Sequence, residues 1–261
     1  MDSAGNTPRL ICTWRGRIVV SGLLYDPQNW FMSAVSEAGN FDYAPLSISP
    51  AQAISGTSSP LGLVGDVVTC WIPYTDDMLI CGCDHEIWMF KGDPMAGGQL
   101  SLVTKTIGMA WGTPWEMDPY GNIYFVSNLM GIYRMEPGGQ PQRISQGIEQ
   151  LVADYNTGTN TIRMLWNDKQ QGLHVFFSPT AAPAAATHFF FDHRSQSWYT
   201  DVFTNNNHNP ICCCKFDGNL PGDRVGLIGS WDGYVRYFSD AAVDDDGTAI
   251  TSSVVMGPLN T

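Results

Sequence analysis

Positive charge is scarce: 13 Lys and Arg stand against 25 Asp and Glu in 261 residues, and the 15% charged total falls short of the roughly 25% usual in soluble domains. The net charge of −12 argues against an ordinary phosphate-binding surface, because nucleic-acid affinity comes largely from Lys and Arg neutralising phosphates. Specific DNA binding is therefore not expected. Long apolar runs are missing as well. No stretch approaches the ~18 apolar residues of a membrane helix, and Met1 to Arg15 lacks the basic-then-apolar order of an export signal. Neither membrane insertion nor export by the usual signals is expected. Seven cysteines, three of them consecutive at Cys212, Cys213 and Cys214, suit neither a disulfide framework nor a zinc knuckle and point to synthesis in a reducing cytosol.

Catalytic signatures are equally sparse. No Gly-x-Ser-x-Gly elbow occurs, and His85, His174, His188, His193 and His208 lack the spacing of a zinc-protease helix. Cys81-x-Cys83 with His85, and Cys212 to Cys214 with His208, could supply a zinc site, but residues i and i+2 of a strand share a face, so Cys81 and Cys83 read as core filling. Asp244-Asp245-Asp246-Gly247-Thr248 lacks the distal Glu of a calcium loop and reads as a solvated turn. Glu116, Asp118 and Glu136, near Trp111 and Trp115, are the carboxylates a hydrolase would need. Aromatic pairs such as Trp30-Phe31 could line a sugar site but fall on expected strands. No metal or cofactor is expected.

What is abundant is punctuation and aromatic mass: 27 Gly and 16 Pro, with 12 Phe, 10 Tyr and 9 Trp able to fill a large core. One pattern, a turn, an apolar strand, a second turn and an aromatic strand, recurs five times. The copies are Gly16 to Gly22 with Asn29 to Val35, Asp77 to Cys83 with Glu86 to Phe90, and Gly121 to Ser127 with Gly131 to Met135. Gly172 to Ser178 with Thr187 to Asp192, and Arg224 to Gly229 with Gly233 to Phe238, complete the set. Anchored on Ile18, Leu79, Ile123, Leu173 and Val225, they are spaced by 61, 44, 50 and 52 residues, close to the ~40 to 50 of a four-stranded propeller blade.

The expected fold is therefore all-β: a single domain over 1–261, a β-propeller of five four-stranded blades, with a six-bladed ring or a sandwich of the same hairpins as alternatives. Expected inner strands are Arg9–Thr13, Val67–Pro73, Gly108–Trp115, Thr161–Trp166 and His208–Phe216. Expected outer strands are Phe41–Ile48, Gln99–Thr106, Pro141–Ile144, Gln196–Phe203 and Thr248–Met256. Ile148, Leu151, Val152 and Tyr155 have helical spacing and predict one short helix near 148–155. Pro179 to Ala186 reads as an extended loop. Residues 47–63, uncharged and rich in Ser, Pro and Ala, read as an excursion packed on a neighbour, with Ala51, Gln52, Ala53, Ile54 and Ser55 as candidate inter-subunit contacts. The turn acids Asp76, Asp77, Asp244, Asp245 and Asp246 are candidates for an acidic surface.

The phrase Trp14-Arg15-Gly16-Arg17-Ile18-Val19-Val20-Ser21-Gly22, then Asp26-Pro27-Gln28-Asn29-Trp30-Phe31-Met32-Ser33-Ala34 and Asn40-Phe41-Asp42-Tyr43, resembles one common in tail proteins of short-tailed bacteriophages and related prophages. Ile72-Pro73, Leu79-Ile80, Ile87-Trp88, Lys91-Gly92-Asp93-Pro94, Gly121-Asn122-Ile123-Tyr124-Phe125 and Gly131-Ile132-Tyr133-Arg134 follow in the same order. Asp232-Gly233-Tyr234-Val235-Arg236-Tyr237, Asp246-Gly247-Thr248-Ala249-Ile250 and Met256-Gly257-Pro258-Leu259 extend it. The resemblance implies a propeller in the tail tube or nozzle of the virion, assembled in the host cytoplasm as a ring with copies of itself and other tail proteins. DNA passes that ring at infection without specific binding, and no catalytic residue is carried over. The chain is shorter than such nozzle proteins. A propeller enzyme or lectin acting on a glycan is the alternative.

Overall fold

The computed structural model describes residues 6–44, 49–220, 223–239, 241–242 and 244–249. They form an all-β propeller of five blades, each an antiparallel sheet whose strands follow chain order. Blade one holds β1 (Leu10–Trp14), β2 (Arg17–Ser21), β3 (Trp30–Met32) and β4 (Ile54–Ser55). Blade two holds β5 (Val68–Thr75), β6 (Met78–Cys83), β7 (Ile87–Lys91) and β8 (Gln99–Thr104). Blade three holds β9 (Trp115–Met117), β10 (Ile123–Val126), β11 (Ile132–Met135) and β12 (Gln142–Arg143); a single helical turn α1 (Glu149–Ala153) leads to the next. Blade four holds β13 (Asn160–Asn167), β14 (Gly172–Pro179), β15 (His188–Asp192) and β16 (Ser197–Asp201).

Blade five follows a 3₁₀ turn at Asn206–His208 and holds β17 (Pro210–Phe216), β18 (Val225–Ser230) and β19 (Val235–Tyr237). Its expected outer strand, Thr248–Met256, enters the described residues only as β21 (Thr248–Ala249), which pairs with β20 (Asp244–Asp245) rather than with β19. The rest of that stretch lies outside the described residues.

Period-two alternation builds the seams between blades, since side chains at i and i+2 leave a strand on one face. Leu10, Trp14, Val19, Trp30 and Met32 of blade one pack on Trp71, Leu79, Cys81 and Phe90 of blade two, and the Trp71 indole N–H donates to Ser21 Oγ at 2.7 Å across that seam. Cys70, Ile72 and Met89 meet Ile123, Phe125 and Met135 between blades two and three. Tyr124, Val126 and Ile132 meet Met164, Trp166, Val175 and Phe177 between blades three and four. A smaller group, Leu165, Phe176 and Ile228, joins blades four and five. Each such side chain withdrawn from water contributes roughly 1.5–3 kcal/mol against the chain-ordering cost.

Three elements depart from the sequence reading. The expected inner strand Gly108–Trp115 is a strand only from Trp115; before it the backbone ties blades together, Met109 N–H donating to Cys83 O, Ala110 N–H to Val126 O and Gly112 N–H to Thr69 O. A Cβ at Gly108 would collide with the Asp84 carbonyl, so this approach requires glycine. Of the expected outer strand Phe41–Ile48, residues 41–44 form no strand and residues 45–48 lie outside the described residues; Ile54–Ser55, inside the supposed excursion, pairs with Phe31 and Met32. In α1, Val152 is buried as its spacing implies but Leu151 is exposed, because a helix of five residues presents a narrow stripe.

Candidate functional site: a hairpin rim and two open blade faces

The turns joining each inner strand to its neighbour line up along one rim. Arg15 Nη1 donates to Asp76 O at 2.7 Å and pairs with Asp77 at 3.4 Å, linking blades one and two. The Tyr74 hydroxyl of blade two lies 2.7 Å from where a Cβ on Gly121 of blade three would sit. Tyr120 Oη donates to Gln171 Oε1 at 3.4 Å, and Asp168 pairs with Arg224 at 2.8 Å. Asp76 and Asp77 thus occupy the rim at the β5–β6 turn, exposed as their turn role implies. Asp244 and Asp246 lie elsewhere, around β20, and are also exposed; Asp245 shares that strand. Asp246 and Asp232 both accept from Arg236 at 2.7 Å, and that guanidinium holds the Asp232 carboxyl down at about 2. The five candidate acids therefore do not form one surface.

Nor do they lie on inner strands. Glu116, Arg163 and Lys215 are the charged residues of β1, β5, β9, β13 and β17. Burial pushes the Glu116 carboxyl up, and Lys215 Nζ, 3.4 Å away, opposes it. Lys215 also donates to Met117 O at 3.1 Å, reaching from blade five to blade three. A propeller axis spanned by one lysine side chain does not admit a duplex, so a DNA path through the blade axis is excluded. Asp118 accepts from Tyr120 N, Asn122 N, Asn122 Nδ2 and Tyr124 Oη, and so is consumed by its own turn. Among the described residues no three or more His, Cys, Asp or Glu gather as a metal site.

The candidate inter-subunit loop is largely internal. Ala53, Ile54 and Ser55 are buried in blade one, while Ala51 is exposed and Gln52 half-buried. The cause is Arg17, itself buried, whose guanidinium donates to Ser33 O, Gln52 O and Pro50 O at 2.6–2.8 Å and faces Asp93 at 3.7 Å. A buried arginine needs partners for its N–H groups. The loop's Pro50 and Gln52 carbonyls, with Ser33 O, match its terminal N–H groups while Nε is left without a partner, which a composition reading does not reveal.

Exposed apolar surface lies elsewhere. On β1, Leu10, Cys12 and Trp14 face blade two, which turns Ile11 outward, 68% exposed. Val20 and Phe31 share that outer face, and Phe31 and Tyr43 rings lie 6.0 Å apart beside a 340 Å³ hollow also lined by Pro8, Leu23 and Phe41. On β17, Cys213 faces blade four, its Sγ 3.1 Å from Met164 O, with burial pushing the thiol up to about 12. Cys212, Cys214 and Phe216 then point the other way and are exposed. Val235 and Tyr237, paired with Gly229 and Leu227, continue this outer face at 67% and 59% exposure. Among the described residues no apolar cluster joins blade five to blade one.

A second hollow, 680 Å³, lies between β16 and β19 and is lined by His174, Phe190, Tyr199, Asp201, Arg236 and Phe238 among others. His174 is buried and stacked 4.4 Å from Phe238, with neither ring nitrogen hydrogen-bonded, and burial lowers it to about 3.

No protein-family model and no curated protein matches the chain. Solved structures match by shape: the extracellular domain of BT4673 from B. thetaiotaomicron, assigned as a one-component system, aligns with TM-score 0.51 and 11% identity over 98% of this chain and 31% of its own. A B. thetaiotaomicron structural-genomics protein of unknown function gives 0.47 with 10% identity over 91% of this chain and 59% of its own. The computationally designed Ika4 protein gives 0.38 with 11% identity over 67% of this chain and 92% of its own. The chain spans about a third of the BT4673 domain, and at such identities the likeness concerns the fold alone.

Proposed function

We propose that the protein is a structural subunit of a bacteriophage tail, one of several copies in a ring or nozzle that DNA passes at infection, with no catalytic role. The observation that carries the reading is that, among the described residues, Ile11 of blade one and Phe216, Val235 and Tyr237 of blade five are exposed on strand faces, which supports association surfaces. The tail phrase from Trp14 to Tyr43 supplies the kind of assembly, and seven free thiols fit assembly in the host cytoplasm before release in the virion. Other tail proteins are the further partners. DNA would pass through the ring of copies, not through the blade axis that Lys215 spans. A surface of net charge −12 per chain gives phosphates no hold there, which suits a polymer that must move. Fluorescence anisotropy with a labelled duplex tests this: no measurable affinity at moderate salt is expected, whereas tight, salt-sensitive binding would contradict a passive conduit.

One observation favours the second reading, a propeller that binds or processes a glycan. The hollow beside His174 combines aromatic walls with Asp201 and Arg236, a mixture that sugars use. Glycan-array binding abolished by Asp201→Ala and Arg236→Ala would move the assignment there.

A further inference from the structure

The seams between blades one and two, two and three, and three and four close on buried apolar side chains. Between blades four and five the buried group is Leu165, Phe176 and Ile228, and the seam stays open toward β16 and β19 as the 680 Å³ hollow. Its blade-four wall is a row across three strands, because His174 pairs with Phe190 and Phe190 with Tyr199 in the ladder. Phe238 of blade five stacks on His174 at 4.4 Å, and the Phe190 ring lies 4.7 Å from the same imidazole. A hollow of this size deprives its lining of the contacts that close packing supplies, and a guest would restore them.

Charge selects the guest. Among the described lining residues Asp201, Arg236 and Asp244 are the charged ones. Arg236 already has its counter-charges: Nη1 donates to Asp232 at 2.9 Å and Nη2 to Asp232 and Asp246 at 2.7 Å, and neither of those carboxylates lines the hollow. The balance left to a guest is therefore negative. His174 adds no competing cation, since burial lowers it to about 3. Asp201, with its side chain 39% exposed, places Oδ2 4.0 Å from His174 Nδ1, beside the cluster of rings. Rings and a carboxylate together favour a cation that sheds its water cheaply, which an alkylated ammonium does. A sugar is less well served, because both ring nitrogens of His174 are buried and offer it no hydrogen bond. We propose that the hollow between blades four and five binds a quaternary ammonium ion of the choline type, with its methyl groups against Phe190, Tyr199 and Phe238 and with Asp201 as counter-charge. This site goes beyond the tail reading and does not depend on it.

A ligand-observed NMR titration of the full chain with choline is the test, referenced to the neutral isostere in which carbon replaces the nitrogen. Choline should bind, and the isostere roughly tenfold more weakly or worse. Asp201→Asn and Tyr199→Ala, each with the wild-type β spectrum, should weaken choline several-fold. Co-sedimentation with phosphatidylcholine vesicles, competed by choline, supports the site with a lipid headgroup as the source; choline binding without co-sedimentation supports it with the free ion. Equal affinity for the neutral isostere in the wild type overturns the cation site and leaves an apolar cavity. Absence of choline binding at millimolar concentration, or glucose binding in its place, overturns it as well, and neither result touches the assembly of the chain.

Discussion

Arg17 shows how one side chain can organise a segment whose sequence looks unstructured. Its guanidinium gathers three carbonyls from the Ser33 and Pro50–Gln52 stretches and has Asp93 as its counter-charge. Replacing it by Met removes the charge but leaves those carbonyls and Asp93 without their donor. Arg17→Met should therefore cost about 3–5 kcal/mol in a denaturant titration. A loss under 1 kcal/mol would show that water replaces the guanidinium freely. At His188 the geometry fixes the tautomer: Nδ1 accepts from Phe177 N–H at 3.1 Å, so Nε2 carries the proton and donates to Asn209 Oδ1 at 3.0 Å. Burial lowers His188 to about 4 and His174 to about 3, both below the ordinary 6.5. The unfolded chain then binds more protons as pH falls through 6.5, so stability is full above that value and declines toward pH 4. A pH series of melting temperatures should show this decline, and His174→Phe, which suits the surrounding Phe176, Phe190 and Phe238 rings, should make it shallower.

At the scale of strands and turns, the sequence was most readable where alternation and glycine coincide. The five hairpins, from Gly16 to Phe238, lie where the repeat places them, because Arg15 and Gly16, for example, take φ of 51° and 69° and close a two-residue turn that fits strand twist. Outer strands were less readable. Ile54–Ser55 is two residues long and lies between Ser-rich turns, so no periodicity announces it, and Arg17, which anchors it, is far away in sequence. Deleting Ala51–Ser59 should accordingly weaken the β circular-dichroism signal and lower the melting temperature, rather than impair assembly alone. An unchanged spectrum would mean that blade one stands without β4. Close packing of strands gives a second expectation. A Cβ at Gly82 would fall 2.6 Å from Cys70 Sγ and 2.7 Å from Met109 Sδ in the seam between blades two and three. Gly82→Ala should then destabilise by about 1–3 kcal/mol, read from the urea midpoint, and a neutral result would mean that Met109 yields.

For the molecule as a whole, composition indicated a weakly charged protein but did not locate the exposed apolar side chains of blades one and five. Low charge drew attention to residues 47–63, yet Ala53, Ile54 and Ser55 within them are buried in blade one. Ile11, Phe216, Val235 and Tyr237 are exposed on strands, where a linear reading counts them as core: nothing local distinguishes Phe216 or Val235 from Phe176 or Ile228, since only the number of blades and their order decide which face lacks a neighbour. The acids show the same limit. Asp76 and Asp246 look alike in sequence, but one is on the hairpin rim and the other is clasped by Arg236. Negative-stain imaging of the purified chain at micromolar concentration tests the central claim most directly. A structural subunit of a tail ring should give annular particles of one size, several times the 28.7 kDa chain, in reducing buffer. Single compact particles of one chain's mass at every concentration would contradict it.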